Sequence, residues 1–143
     1  MRLAIACIGF VLTATPAVAQ EIDTTGKGAV LCAWQIFQTV RNVIDACAPG
    51  EFQALRSDMS WAIDATNDFI AANSPQPVTK AELEAVVARD AERDRARFTS
   101  ASCPTLREQW IESWSSVTMG EPFRRGVADM LSVPRKPVMN PCV

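Results

Sequence analysis

Two aspartates four residues apart, Asp64 and Asp68 in "WAIDATNDFI", are the nearest this chain comes to a catalytic pair. Four-residue spacing puts both carboxylates on one face of a helix, with Asp58 and Trp61 close by. A pair of carboxylates can serve as general acid and general base. The competing expectation is a solvated acidic face, and it is the one adopted, because no surrounding motif marks either group as perturbed. Absences close most other routes to catalysis. The chain of 143 residues contains no His and no Tyr. Ser-His and Cys-His nucleophile schemes, histidine bases and most zinc enzymes are thereby removed. No G-x-x-x-x-G-K or G-x-G-x-x-G loop is available to cradle phosphate. We therefore expect no catalytic residue, no cofactor and no metal ligand set.

Binding material is scarcer but present. Trp61 projects away from the apolar face of its helix, where a tryptophan can anchor a partner. It can equally be covered by the chain's own tail through Pro137 or Val138, and covering is the expectation. Trp34, with Arg41 on its side of the helix, is open to both readings, while Trp110 and Trp114 read as core. Arg124 and Arg125 could receive an anion, although beside Glu121 they read as solvated surface.

The strongest chemical signal is sulfur. Cysteines stand at positions 7, 32, 47, 103 and 142. The opening "MRLAIACIGFVLTATPAVAQE" has one Arg, an apolar run from Leu3 to Leu12 and an Ala17-Val18-Ala19 site, the pattern of a secretory signal peptide. The run falls short of the roughly 20 residues that span a bilayer. A lipoprotein with Cys7 acylated would leave too few residues ahead of it for an apolar region. Residues 1–19 are accordingly expected to be removed after Ala19, with 20–143 the single mature domain. Cys7 leaves with the signal, and an even count of four remains, as a disulfide framework requires. The periplasm of a Gram-negative bacterium, or secretion, is the expected destination.

With 14 Lys and Arg against 16 Asp and Glu, charge is nearly balanced. No basic tract invites nucleic acid, and no second apolar stretch approaches membrane length. Apolar residues instead recur at three- and four-residue steps, which predicts five helices. The first runs from about Ala29 to Cys47 and halts at "CAPGE", because a proline disfavours helical geometry at the residue before it. The second spans about Glu51 to Ala72, with Phe52, Leu55, Met59, Ile63 and Phe69 on its inner face. In "PVTKAEL", Thr79 and Glu82 form a capping box, and Val78 and Leu83 stand where a hydrophobic staple would place them. This third helix ends in the mixed-sign "RDAERDRAR", a solvated face with pairs such as Asp90–Arg93 and Asp94–Arg97. The fourth follows "SCPTL" and carries Leu106, Trp110, Ile111, Trp114 and Val117. The fifth opens at "GEPF" and buries Phe123, Val127, Met130 and Leu131. No period-two alternation signals a strand.

These helices dictate the cysteine pairing. Cys32 and Cys47 lie on one helix about 22 Å apart at 1.5 Å per residue, whereas a disulfide needs Cα atoms within about 7 Å. Short loops make successive helices antiparallel, which brings Cys47 to Cys103 at one end of the bundle. Cys32, at the other end, is left with Cys142. The proline-rich segment from Ser132 to Cys142 can cover roughly 30 Å when extended, enough to return as a strap to the first helix. The expected fold is all-α, a five-helix bundle stapled by Cys47–Cys103 and Cys32–Cys142.

A signal peptide, small helical bundle and internal disulfides together are similar to the layout of periplasmic immunity proteins of type VI secretion systems. "VTKAELEAVV", Val78 to Val87, looks like a V-T-x-x-x-L-x-x-V-V stretch in some of them. The likeness covers ten residues, and "APGEFQAL" stands where that family carries a glycine-containing segment after its second cysteine. No membership follows. The leading expectation is a non-enzymatic binding or inhibitory module acting on another envelope protein, since rigidity lowers the entropy cost of binding. Two others are carried beside it: an apolar-ligand carrier with a cavity near Phe37, Met59, Trp110 or Trp114, and a hydrolase using Asp64 or Asp68.

Overall fold

The computed structural model describes residues 21–114 and 116–142. The expected signal peptide, with Cys7, lies outside these residues. Five α-helices follow one another: α1 (Val30–Cys47), α2 (Gln53–Asn73), α3 (Lys80–Arg97), α4 (Cys103–Leu106) and α5 (Glu121–Met130). No strand forms among the described residues, and Ile22 and Asn140 share one isolated parallel bridge. None of these helices is long and apolar enough to cross a membrane.

α1 is the central element, packed against α2, α3 and the helical turns after α4. Val40, Val43 and Ile44 on its inner face meet Met59, Ala62 and Ile63 of α2, all essentially excluded from water. No side chain caps the start of α1. Instead the Leu31 N–H donates to the Val138 carbonyl at 3.0 Å, so the strap supplies a partner that a helix N-terminus needs and cannot make itself. α3 has its own device, since Thr79 accepts from the Glu82 N–H at 3.2 Å while Glu82 accepts from the Thr79 N–H at 2.7 Å. Val78 and Leu83 then pack into one cluster with Val30, Phe69 and Ile70.

Both disulfides join the expected cysteines. The Cα atoms of Cys32 and Cys142 are 5.4 Å apart and those of Cys47 and Cys103 are 5.2 Å apart, each within the normal range. Cys32 is buried with Ala29 and Val138 in a small apolar cluster beneath the strap.

Several local expectations are corrected. Phe52 does not line the inner face of α2. It precedes the helix with φ of 52° and is 39% exposed, with the Arg107 guanidinium 5.6 Å above its ring. The tight "APGE" turn, with Gly50 at φ 88°, throws that ring outward before the helix begins. The fourth helix is not uniform: a π-helical turn (Arg107–Ile111) and a 3-10 turn (Glu112–Trp114) continue α4. Ser113 donates its hydroxyl to the Gln109 carbonyl at 2.8 Å, a back-bond that bends helices. Val117 falls past this segment and is 39% exposed. On α3, Asp90–Arg93 forms at 2.9 Å, but Asp94 turns inward to accept from Asn42 Nδ2 at 2.9 Å rather than pairing with Arg97.

Candidate functional site

The carboxylates come first. Asp64 and Asp68 do share a face of α2, but both are exposed and both hold Lys80 Nζ, at 2.7 and 2.9 Å. Their hydrogen bonds raise the Lys80 pKa. A common cation between two solvated carboxylates is a surface tie between α2 and α3, not an acid–base pair. Asp58 is the buried one. Its carboxylate accepts from the Gly120 N–H at 2.6 Å and from Arg124 Nε at 2.9 Å, which locks the first turn of α5 onto α2. Gly120 sits at φ 79° and ψ −139°, backbone that suits glycine.

The tryptophans follow from these ties. Arg124, held by Asp58, lies 5.5 Å over the Trp61 ring, and Trp61 packs on the main core. Arg124 covers part of it, while Val138 of the strap is occupied with Ala29 and Cys32. Trp34 is half-buried and donates its indole N–H to Asn67 Oδ1 at 2.8 Å. Trp114 meets Phe37 and Phe123 edge to face at 6.3 and 6.0 Å. Phe37 and Met59, expected to line any carrier cavity, are buried core. Arg125 is exposed.

Sequence reading missed the most heavily bonded side chain. Arg135 lies within the proline-rich strap, and its guanidinium donates to Asp23, to the Met130, Val133 and Gly28 carbonyls, and stacks 5.4 Å from Phe69. The side chains of Arg135 and Asp23 are 8% and 1% exposed. Burial works against the Asp23 charge, but hydrogen bonds from the Thr25 side chain, the Thr25 N–H and Arg135 outweigh it and hold the carboxyl below its ordinary pKa. No local pattern announces this contact, since the partners are more than a hundred residues apart.

Besides a depression of about 680 Å³ beside the Cys47–Cys103 disulfide, three more among the described residues bear on the candidate side chains. One of about 310 Å³ lies between α1, α3 and the tail, lined by Gln38, Asn42, Asp90, Asp94, Trp110 and Cys142 among others. Gln38 Oε1 is buried there without a partner. A second, of about 450 Å³, is apolar, formed beside α5 by Phe37, Val117, Pro122, Phe123 and Met130. A third, of about 340 Å³, opens where α1, α2 and α3 meet, and includes Arg41, Asp64, Asn67 and Glu84. Burial pushes the Arg41 pKa down, Asp45 opposes that, and Arg56 adds to it. No group of three or more Cys, Asp or Glu able to hold a metal ion occurs among the described residues.

Comparison with protein-family models, with curated proteins and with solved structures finds no match. The functional reading rests on the residues themselves.

Proposed function

We propose that this chain is an exported, disulfide-braced binding module that acts without catalysis on another protein of the cell envelope. The observation that carries the reading is how the ionisable groups are used. Asp58 is committed to Gly120 and Arg124, Asp23 to Arg135 and Thr25, and Asp64 with Asp68 to Lys80. Each holds one segment against another. The two disulfides work in the same direction, and a rigid surface loses little freedom when a partner docks. Removal of residues 1–19 in an oxidising compartment belongs to this reading, since the four cysteines beyond Ala19 are all paired.

The test uses the mature, oxidised chain. In-cell cross-linking should give one defined adduct, and the purified partner should reconstitute a complex of fixed stoichiometry by light scattering. A chain that remains alone in cross-linking and chromatography, even with whole envelope extract, would refute the reading. Blue-shifted tryptophan emission on titrating apolar ligands would favour the carrier instead.

A further inference from the structure

Arg41 forms no close ion pair among the described residues, and Asp45 favours its charge only from a distance. A guanidinium offers five N–H donors and stays protonated in proteins. Its natural partner four residues on, Asp45, is taken by Arg56 at 2.5 and 3.4 Å. What Arg41 makes is a long contact from Nη2 to Asn42 Oδ1 at 3.4 Å, and its Nε is buried with no partner. Leaving a charged group under-bonded out of water is costly unless something completes it.

Asn67 supplies a second, independent observation in the same pocket. It is 2% exposed. The Trp34 indole N–H is a donor only, so the oxygen of the Asn67 amide must face it. Its Nδ2, which can only donate, is therefore turned away from Trp34. Ser60 adds no donor, because its hydroxyl hydrogen goes to the Arg56 carbonyl at 2.9 Å. The pocket thus gathers donors at Arg41 and Asn67 on an apolar base of Ile63 and Val87. Its volume of about 340 Å³ is at the small end for ligand sites, roughly 300–1,000 Å³.

We propose that this pocket is a carboxylate-binding site, in which Arg41 takes the two oxygens and Asn67 Nδ2 donates to one of them. Forked pairing of guanidinium with carboxylate is the strong form of such bonds. Two acidic groups flank the site, Asp64, which has only a share of Lys80 because Asp68 holds the same cation, and the exposed Glu84; both oppose a second negative charge. The carboxylate can come from an Asp or Glu of a partner protein, and that source rests on the binding-module reading. A free small carboxylate would need only the pocket.

Nitrogen-15 NMR of the mature oxidised chain, titrated with sodium acetate against sodium chloride at equal ionic strength, tests it. Acetate should give saturable shifts of the Arg41 Nε–H, the Asn67 side-chain NH₂ and the Trp34 indole N–H, and chloride should not. Arg41→Gln should weaken acetate binding at least tenfold. Arg41→Lys, which keeps the charge and loses the fork, should weaken it less, and Glu84→Gln should strengthen it severalfold. Equal shifts in both salts, or acetate binding undiminished in a folded Arg41→Gln protein, overturn the site. If Arg41→Gln does not fold, undiminished binding to Arg41→Lys together with no gain in Glu84→Gln overturns it. N-acetylglutamate amide, set against N-acetylglutamine amide, separates the sources. Binding of the first alone supports a partner's side chain. Binding of acetate but neither amide supports the pocket and refutes that source, with the binding-module reading left to its own cross-linking test.

Discussion

Arg135→Gln should destabilise the protein by about 3 kcal/mol at neutral pH. Removing one member of a buried ion pair costs roughly 3–5 kcal/mol, mostly from the charge left behind. The lower end applies here for two reasons. Asp23 keeps the Thr25 N–H and hydroxyl, at 2.7 and 2.6 Å, after Arg135 is gone. Asp23 as a whole residue also remains partly open to solvent rather than deep in the core. At about 4 °C per kcal/mol for a domain of this size, the melting temperature should fall by about 12 °C. Urea unfolding followed by tryptophan fluorescence, with both disulfides intact, measures the loss directly, and an unchanged slope confirms that compactness is not altered. The pH dependence sharpens the test. Asp23 has a folded-state pKa below its ordinary value of 3.8, so its contribution is complete above that value and is lost as pH falls through the folded pKa. The gap between wild type and variant should therefore hold from pH 7 to about 5 and narrow below about 4. A loss under 1 kcal/mol at pH 7, or a gap indifferent to pH, would refute the claim that this pair fastens the strap.

Other substitutions separate buried from surface charge. Asp58→Ala, which orphans the Gly120 N–H and Arg124, should cost about 3 kcal/mol in urea unfolding, at 1.5–3 kcal/mol per charged hydrogen bond partly offset by solvent reaching Arg124. Asp64→Asn and Asp68→Asn should each change stability by less than about 0.5 kcal/mol, since exposed pairs contribute little. Thr79→Ala should cost about 1 kcal/mol by removing the cap of α3, seen as faster amide exchange in its first turn. Mass mapping of a non-reduced digest should yield Cys32–Cys142 and Cys47–Cys103 peptides, and a Cys32–Cys47 peptide would contradict α1 as one unbroken helix. Replacing Cys32 and Cys142 together by Ser should destabilise by up to about 4–5 kcal/mol in the chain-entropy model.

What could be read from the sequence was what depends on neighbours along the chain. The Thr79–Glu82 box and the Val78–Leu83 staple are written within six residues, and both form. The cysteine pairing was legible because helix length alone separates Cys32 from Cys47, and antiparallel packing then leaves one arrangement. Phe52 was misread because its position in the apolar period holds only if the helix has already begun, and the turn at Gly50 delays it. The contacts of Arg135, Asp58 and Asn67 were not legible at all. The ties of Arg135 to Asp23 and Gly28, of Asp58 to Gly120 and Arg124, and of Asn67 to Trp34 join residues 33 or more positions apart, and a lone Arg in a proline-rich stretch has no local reason to be buried. Unpaired Arg41 was equally hidden, since its i,i+4 neighbour Asp45 suggests a pair that Arg56 pre-empts.

One disulfide loop sits inside the other, Cys47–Cys103 within Cys32–Cys142, with separations of 56 and 110 residues. In chain order Cys32 and Cys47 become available before Cys103 and Cys142. Once coiled, α1 holds those two thiols at opposite ends, about 22 Å apart, so the helix itself opposes their pairing with each other. The inner ring can shut while the outer one stands open, and the outer closure then waits only for Cys142.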